Sequence, residues 1–266
     1  MNEWRPDPRF RYDANVSILY PDLPLMARPR AAAEDGFTAI EMWWPFPNPV
    51  PSEHEVRTLV AAISGSGTQL VALNLDAGDT AAGDRGLASR PDERDRFDAN
   101  LKAAARLVDE TGCRIVNVLY GNRLQGVDPA RQDELAVANL ASAVSVLAGV
   151  GATVVLESLN SFDSPDYPLT DPSSTVKVLD RVPSTTEPRP ALLLDVYHLV
   201  RMGHDVVATI QDYAGRIGHV QLADAPGRGR PGSGHIDFAG IMAALADTGY
   251  AEYVGLEYEP NGKGPS

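Results

Sequence analysis

The chain contains a single cysteine, Cys113, among its 266 residues. A lone cysteine excludes an internal disulfide and any cluster of thiolate metal ligands. Basic residues are also scarce, because 23 lysines and arginines stand against 36 aspartates and glutamates, which gives a net charge of -13. Proteins that bind nucleic acid or an anionic membrane surface normally carry a basic stripe, so we expect neither kind of partner.

Long apolar runs are missing as well. No stretch approaches the roughly 20 residues of a membrane-spanning helix, and the N-terminal segment MNEWRPDP lacks the apolar core of a secretory signal. No Gly-x-Gly-x-x-Gly motif follows the first predicted strand, so we expect no nicotinamide or flavin cofactor. These features together predict a cytoplasmic protein, and they leave assembly into a homo-oligomer open.

Short apolar runs alternate with alanine-rich helical segments along the whole chain. The runs predict eight strands, at residues 15–20, 39–44, 69–75, 114–120, 153–159, 191–197, 217–222 and 253–258. Strands that alternate with helices pair in parallel, and eight such units in about 250 residues close a barrel. We predict a single (β/α)8 TIM barrel over residues 14–266, preceded by an N-terminal extension of residues 1–13. An open doubly wound sheet is the alternative.

Four of the predicted strands carry an oxygen-bearing side chain near their ends: Glu157, Asp195, Gln221 and Glu257. In a closed barrel the carboxyl ends of all strands meet at one mouth, so these side chains should converge there. Three carboxylates and an amide suit a hard divalent cation, Mg²⁺ or Mn²⁺ rather than zinc. Without a cation such carboxylates would repel one another, so the group is better suited to acid–base chemistry than to a structural role.

Two of these assignments have close competitors in the sequence. Glu259 lies two residues after Glu257 and would share its strand face, while Asp224 competes with Gln221. The remaining two carboxylates could instead form buried salt bridges, although their strands offer no basic partner. Spacing alone therefore does not decide which oxygens would bind a metal.

Two residues near the predicted mouth are candidates for substrate binding. His198 follows the sixth strand and could donate to a substrate oxygen, or it could merely cap the next helix. Arg228 lies in a loop rich in proline and glycine after the seventh strand, where it could clamp a carboxylate or remain a solvated charge. Long connections at residues 76–92, 161–172 and 224–234 should lie at the same mouth.

Five segments together resemble the hydroxypyruvate isomerase family of the xylose isomerase-like barrels. They are NLDAGDTAAGDRG (74–86), LESLN (156–160), LDVYH (194–198), HVQLADAPGR (219–228) and GLEYEP (255–260). The resemblance runs from about residue 14 to residue 260. It implies metal ligands at Glu157, Asp195, Gln221 and Glu257, with Glu157 and Glu257 as the proton-transferring pair. It favours Glu257 over Glu259, because Glu257 matches the family's Gly-Leu-Glu-Tyr motif. We also assign Asn74, which opens the first segment, to substrate binding.

The resemblance implies an aldose–ketose type isomerisation of a small hydroxy-carbonyl or sugar substrate, with hydroxypyruvate to tartronate semialdehyde as the leading candidate. The alternatives are a sugar epimerase, a 2-oxo-acid sugar isomerase or a dehydratase on the same site, and a non-catalytic barrel that binds a metal or a sugar. Two positions depart from the family, because Ser158 replaces a proline and Phe162 replaces an arginine. A substrate carboxylate must then be bound elsewhere, and Arg228 is the nearest candidate by motif.

Overall fold

The computed structural model describes residues 4–183 and 188–260. Within these ranges eight parallel strands pair in chain order, and the last strand pairs with the first, so that the sheet closes on itself. The predicted (β/α)8 barrel is thereby confirmed. The strands are β1 (Arg11–Asn15), β2 (Ala39–Met42), β3 (Gln69–Asn74), β4 (Ile115–Asn117), β5 (Thr153–Glu157), β6 (Ala191–Asp195), β7 (Ile217–Leu222) and β8 (Tyr253–Leu256).

Helices connect the strands and cover the outside of the barrel. They are α1 (Val16–Leu19), α2 (Arg28–Glu34), α3 (Glu53–Ser66), α4 (Arg94–Thr111), α5 (Pro129–Ala148), α6 (Pro172–Arg181), α7 (Val196–Arg201), α8 (Val206–Asp212) and α9 (Phe238–Asp247). Local sequence explains their ends. For example, Ser52 and Glu55 form a capping box at the start of α3, and Gly67 ends that helix in the left-handed conformation.

The first strand was predicted at residues 15–20, and this prediction is wrong. Arg11–Asn15 forms β1, with Arg11 opposite Tyr253, and the apolar run after it folds as α1. The Asn15 side chain accepts a hydrogen bond from the Ser17 amide, which caps α1 and ends the strand. The boundary that we drew after residue 13 therefore falls inside β1.

Most other elements lie close to their predicted positions. Six strands begin within one residue of the prediction but end earlier, because the chain turns away from the sheet at the mouth. Helix α7 was not predicted, and it begins directly after β6 because Asp195 caps it. Residues 1–3, residues 184–187 and residues 261–266, the last two ranges within the predicted barrel domain, lie outside the described residues.

Apolar side chains fill the space between the strands and the helices in two large clusters. One extends from β1 through α6, with Leu101, Leu140 and Leu156 among its buried members, and the other joins β6 to β8 with α7 to α9. Among the described residues no helix has both the length and the apolar character needed to cross a bilayer. The packed helices fix the strands, and the strand ends in turn set the geometry of the mouth.

A group of three polar residues lies inside the barrel, deeper than the predicted site residues at the strand ends. Asp13, Glu41 and His219 come from β1, β2 and β7, and each is buried. His219 Nε2 lies 2.7 Å from Glu41 Oε2, whereas neither Asp13 oxygen has a hydrogen-bond partner. Burial, followed by the charge of Glu41, raises the pKa of Asp13 well above its usual value. Burial alone would lower the pKa of His219, but its bond to Glu41 raises that pKa overall.

The loop after β3 is held tightly against the end of β4. Gly86 has a φ of +110°, and a Cβ atom placed on it would lie 2.2 Å from the carbonyl oxygen of Leu119. Gly86 also forms an isolated bridge with Tyr120, and the Gly121 amide donates to the carbonyl of Arg85. Only glycine permits both this backbone conformation and this close approach. The loop is therefore a fixed part of the mouth.

We expect Gly86→Ala to destabilise the protein by more than about 1 kcal/mol, because alanine is strained at positive φ and its methyl group would also clash with Leu119. Gly83→Ala is the matched control, since Gly83 has a φ of +102° but no heavy atom within 4 Å of the added Cβ. Urea unfolding of both variants measures the difference. Equal losses in the two variants would show that the close approach is unimportant.

A second prediction concerns Asp13. Its pKa is raised in the folded state, so folding retains a proton that the unfolded chain loses above its own pKa of about 4. The wild type should therefore lose stability as pH rises above that value, by at most about 1.4 kcal/mol per pH unit from this group. Asp13→Asn does not titrate, so its free energy of unfolding relative to wild type should increase between pH 5 and pH 8. Urea unfolding in chelator tests this, and parallel pH profiles for the two proteins would contradict it.

Candidate active site

The four oxygen-bearing residues predicted at the strand ends come to the same mouth of the barrel. Glu157 and Asp195 end β5 and β6, Gln221 is the fifth residue of β7, and Glu257 directly follows β8. All four are buried, and Asp195 is the parallel-strand partner of Gln221. Glu157 and Glu257 line a cavity of about 520 Å³ that opens at this mouth, and His198, Arg228 and Asn74 line it too.

Arg228 connects two of the carboxylates. Its Nη2 atom donates to Glu257 Oε2 at 2.6 Å and to Asp195 Oδ2 at 3.4 Å, while its guanidinium carbon lies 5.4 Å from the ring centre of Tyr197. Burial raises the pKa of Asp195 to about 6 and that of Glu257 to about 7, and the charge of Arg228 opposes both shifts. Part of the charge of this guanidinium is thus used to balance carboxylates of the protein itself.

Glu157 lies beside the imidazole of His198. The Nε2 atom of His198 is 3.8 Å from Glu157 Oε1 and 3.6 Å from Asp195 Oδ2, and its Nδ1 accepts from the Asn160 amide. Burial, with the charge of Arg228 second, lowers the pKa of His198 well below its usual value, so the ring is neutral and its proton resides on Nε2. Burial and the charges of Glu257 and Asp195 raise the pKa of Glu157 well above normal.

The two pairs of competing residues, Asp224 with Gln221 and Glu259 with Glu257, differ in their hydrogen bonds and burial. Asp224 accepts hydrogen bonds from the backbone amides of its own loop, namely those of Ala225, Gly232, Gly234 and Ile236. Gln221 instead directs its Nε2 to Glu41 Oε1 at 2.8 Å, which leaves its buried Oε1 without a partner. Glu259 is half-buried, whereas Glu257 is buried at the mouth. Glu257 lines the cavity and Gln221 Oε1 is buried without a partner, and the roles of both as metal ligands stay predictions.

Three residues that contribute to the site were missed from the sequence, namely Asn15, Glu41 and Asn117 near the ends of β1, β2 and β4. Asn15 Nδ2 donates to Glu257 Oε1 at 2.7 Å and to Glu41 Oε1 at 3.1 Å, and Asn117 Nδ2 donates to Glu157 Oε2 at 2.8 Å. A signal was available for Glu41 and Asn117, because each is a polar residue inside a short apolar run that was predicted as a strand. The misplaced first strand hid Asn15, since that prediction put it at the start of a strand.

Aromatic side chains form one wall of the cavity. Trp43 and Trp44 line it after β2, and Trp43 Nε1 donates to Glu257 Oε1 at 2.7 Å. Phe162, which stands where the family has an arginine, is 66% exposed and is not among the lining residues. The guanidinium carbon of Arg201 lies 4.9 Å from the centre of the Phe162 ring. Phe162 therefore packs outside the cavity and does not form its apolar wall.

The donor set at this mouth fits a divalent cation. Gln221 Oε1 is buried and has no hydrogen-bond partner, and the pKa values of Glu157, Asp195 and Glu257 at the same mouth are all raised. Carboxylate and amide oxygens are the ligands that hard cations prefer, and a cation would relieve the repulsion that raises these pKa values. Glu157 and Asp195 also place carboxylate oxygens within 4.8 Å of one another, close enough to share an ion.

Comparisons with known proteins agree with the fold. Residues 29–265 match the model of the xylose isomerase-like TIM barrel family. The chain is 46% identical to a Streptomyces coelicolor protein named "Putative hydroxypyruvate isomerase", over 96% of this chain and 92% of that one. It is 30% identical to the Escherichia coli hydroxypyruvate isomerase, over 94% and 93% of the two chains.

Two further relatives extend the comparison. A 2-oxo-tetronate isomerase of Pectobacterium atrosepticum is 29% identical, over 95% of this chain and 93% of that one. The crystal structure of a Brucella melitensis protein described as AP endonuclease, family 2, superposes with a TM-score of 0.84 at 30% identity, covering 96% and 95% of the two chains. The chain belongs to the hydroxypyruvate isomerase family of the xylose isomerase-like TIM barrels, and it is an isomerase.

Proposed function

We propose that this enzyme interconverts hydroxypyruvate and tartronate semialdehyde. The observation that carries the proposal is the position of Glu157 and Glu257, two buried carboxylates on different strands that line one cavity. In the enediolate route, moving a carbonyl group between neighbouring carbons removes one proton from carbon and returns another to the adjacent carbon, so it needs two proton-transferring groups. Relatives that are named for this reaction and align over nearly the whole chain support the same conclusion.

In this mechanism one of the two glutamates removes a proton from C3 of hydroxypyruvate, which leaves an enediolate. The other glutamate delivers a proton to C2, while the hydroxyl proton on O3 moves to O2, so that the product has an aldehyde at C3 and a hydroxyl group at C2. His198 holds a proton on Nε2 beside Glu157 and would donate it in a hydrogen bond to a substrate oxygen. Asn74 lines the cavity and would contact the substrate.

The proposed metal ligands are Glu157, Asp195, Gln221 and Glu257, and the proposed ion is Mg²⁺ or Mn²⁺. When bound, such an ion supplies electrophilic stabilisation of the negative charge that develops on the substrate oxygens. Asn15, Trp43 and Arg228 each donate to Glu257, and Asn117 donates to Glu157. These donors hold the carboxylates in place, as the partners of metal ligands commonly do.

A second candidate is the isomerisation of a four-carbon 2-oxo acid. The Pectobacterium relative is named for such a substrate, and a cavity of about 520 Å³ has room for a chain longer than three carbons. Both substrates carry a carboxylate and would undergo the same proton transfer, so the two candidates differ in the length of the carbon chain that the cavity must hold.

Product analysis by NMR tests the proposed function. The purified enzyme would be supplied with Mg²⁺ or Mn²⁺ and offered hydroxypyruvate, 2-oxo-tetronate and a neutral ketohexose in D₂O. We expect tartronate semialdehyde from hydroxypyruvate, with deuterium incorporated at carbon by the exchanging glutamate. Faster conversion of 2-oxo-tetronate would favour the second candidate. Conversion of the ketohexose alone would overturn both candidates.

We expect Glu157→Gln and Glu257→Gln each to lower turnover by about 10²–10⁴-fold, because an amide cannot accept or return the proton. Each assay requires a metal concentration that saturates the variant, since these residues are also proposed ligands. Glu259→Gln is the matched control, because it removes the neighbouring carboxylate in the sequence, and it should remain close to wild type. Normal turnover in either of the first two variants with metal bound would exclude that residue as a proton carrier.

Metal binding gives a further prediction that does not depend on turnover. Mg²⁺ or Mn²⁺ should raise the unfolding temperature of chelator-treated protein, because a ligand at 100 times its Kd stabilises the folded state by about 2.7 kcal/mol. Asp195→Asn should lose most of this shift, since it removes one proposed ligand, whereas Glu259→Gln should retain it. Differential scanning calorimetry measures the shift, and an equal shift in Asp195→Asn would argue against the proposed ligand set.

A further inference from the structure

Among the described residues three arginines line the cavity, and two of them are paired with carboxylates of the protein. Arg96 makes two hydrogen bonds to Asp76, at 2.7 and 3.1 Å, and Arg228 contacts Glu257 and Asp195. The remaining arginine is Arg85. A cation that is already paired gives up that pairing when it binds a substrate anion, so the pairing of each arginine decides which one is available.

Arg85 has only uncharged partners in the described part of the chain. Its Nε donates to Ser164 Oγ at 3.0 Å, and its Nη1 donates to the carbonyl oxygens of Thr80 and Asp84 at 3.2 and 2.7 Å. No hydrogen bond from its Nη2 occurs among these residues. Asp163, the carboxylate next to Ser164, accepts from Tyr197 and Asn160 instead. The charge of this half-buried guanidinium is thus available for an anion in the cavity.

The backbone that carries Arg85 is rigid. Gly86 packs against the end of β4, and the Arg85 carbonyl accepts from the Gly121 amide at 3.1 Å. Within the same loop Asp84 accepts from Arg90 at 2.6 Å and from the Asp79 amide at 2.9 Å. A side chain on such a loop loses little conformational entropy when it binds a ligand, because its position is set before the ligand arrives.

We propose that Arg85 and Ser164 form the subsite for the carboxylate of the substrate. This inference rests on the proposed function, because it assumes a substrate with an anionic end. Arg85 and Ser164 line the same cavity as Glu157 and Glu257. When the substrate carboxylate is bound at Arg85, the carbonyl and hydroxyl carbons of the substrate would face the two glutamates.

The subsite also explains how an acidic protein can accept an acidic substrate. The chain carries a net charge of -13, and the reacting end of the cavity contains Glu157 and Glu257. A guanidinium can bind a carboxylate through two parallel hydrogen bonds, which selects an anion and also fixes its orientation. Arg228, our candidate from the sequence, remains a prediction for this role, but its Nη2 already contacts two carboxylates.

The test compares hydroxypyruvate with 1,3-dihydroxyacetone, in which a neutral hydroxymethyl group replaces the carboxylate. Arg85→Gln should lower kcat/KM for hydroxypyruvate by roughly 10- to 100-fold, mainly through KM, because a charge-assisted hydrogen bond contributes about 1.5–3 kcal/mol. The rate with dihydroxyacetone should stay within about threefold, less than 1 kcal/mol. Arg85→Lys should recover part of the loss, because lysine keeps the charge but not the two-pronged geometry.

Arg201→Gln is the matched control. It removes a guanidinium that stacks on Phe162 and Tyr197 but does not line the cavity, so both substrates should react as with wild type. Equal losses in Arg85→Gln and Arg201→Gln would mean that only the overall charge at the mouth matters, which would overturn the subsite. Equal losses for both substrates in Arg85→Gln would overturn it as well.

A binding measurement separates this inference from the proposed function. Titration calorimetry with glycerate and with glycerol, in the presence of Mg²⁺, requires no turnover. The subsite is supported if the Kd of glycerate is at least tenfold lower for the wild type than for Arg85→Gln. This result would support it even if hydroxypyruvate proves not to be a substrate. If hydroxypyruvate is turned over while glycerate binds both proteins equally, the subsite is wrong and the proposed function stands.

Discussion

The burial of several carboxylates inside one barrel is the constraint on which the rest of the structure depends. Asp13, Glu41, Glu157, Asp195 and Glu257 are each at most 4% exposed. An isolated buried carboxylate is costly, and neighbouring carboxylates increase that cost by repulsion. The raised pKa values of Asp195 and Glu257, about 6 and about 7, reflect this cost. An interior of this kind requires donors, protons or a cation, and the surrounding residues provide the donors.

These donors come from around the barrel. Asn15, Trp43, Asn117 and Arg228 lie at or beyond the carboxyl ends of four different strands, and each donates to a glutamate of the site. The arrangement follows from parallel pairing in a closed sheet, which directs every strand end to one mouth. Chemistry at this mouth therefore needs no special local fold, because residues far apart in the chain meet there by topology.

The loops at the mouth contribute both its shape and a positively charged side chain. The loop after β3 presents Arg85 from a backbone that Gly86 fixes against β4, while the loop after β7 is organised by Asp224, which accepts from four backbone amides. The tryptophans after β2 close a third side. On this view the strand ends determine which reaction is catalysed, and the loops determine which substrate is accepted.

The sequence by itself determined the fold class, seven of the eight strands and the four oxygen-bearing residues at their ends, because short apolar runs with a polar terminus are a local signal. It could not decide between Gln221 and Asp224, since both are polar residues near one strand end. The tertiary structure shows a difference between them, because Asp224 accepts hydrogen bonds from amides that only the folded loop brings to it, whereas Gln221 Oε1 has no partner; Gln221 as a metal ligand stays a prediction. The tertiary structure also placed Asn15 at the end of β1, where pairing with β8 overrides the apolar run after it. Likewise, the availability of Arg85 depends on which arginines find a carboxylate, and only the folded chain determines those pairings.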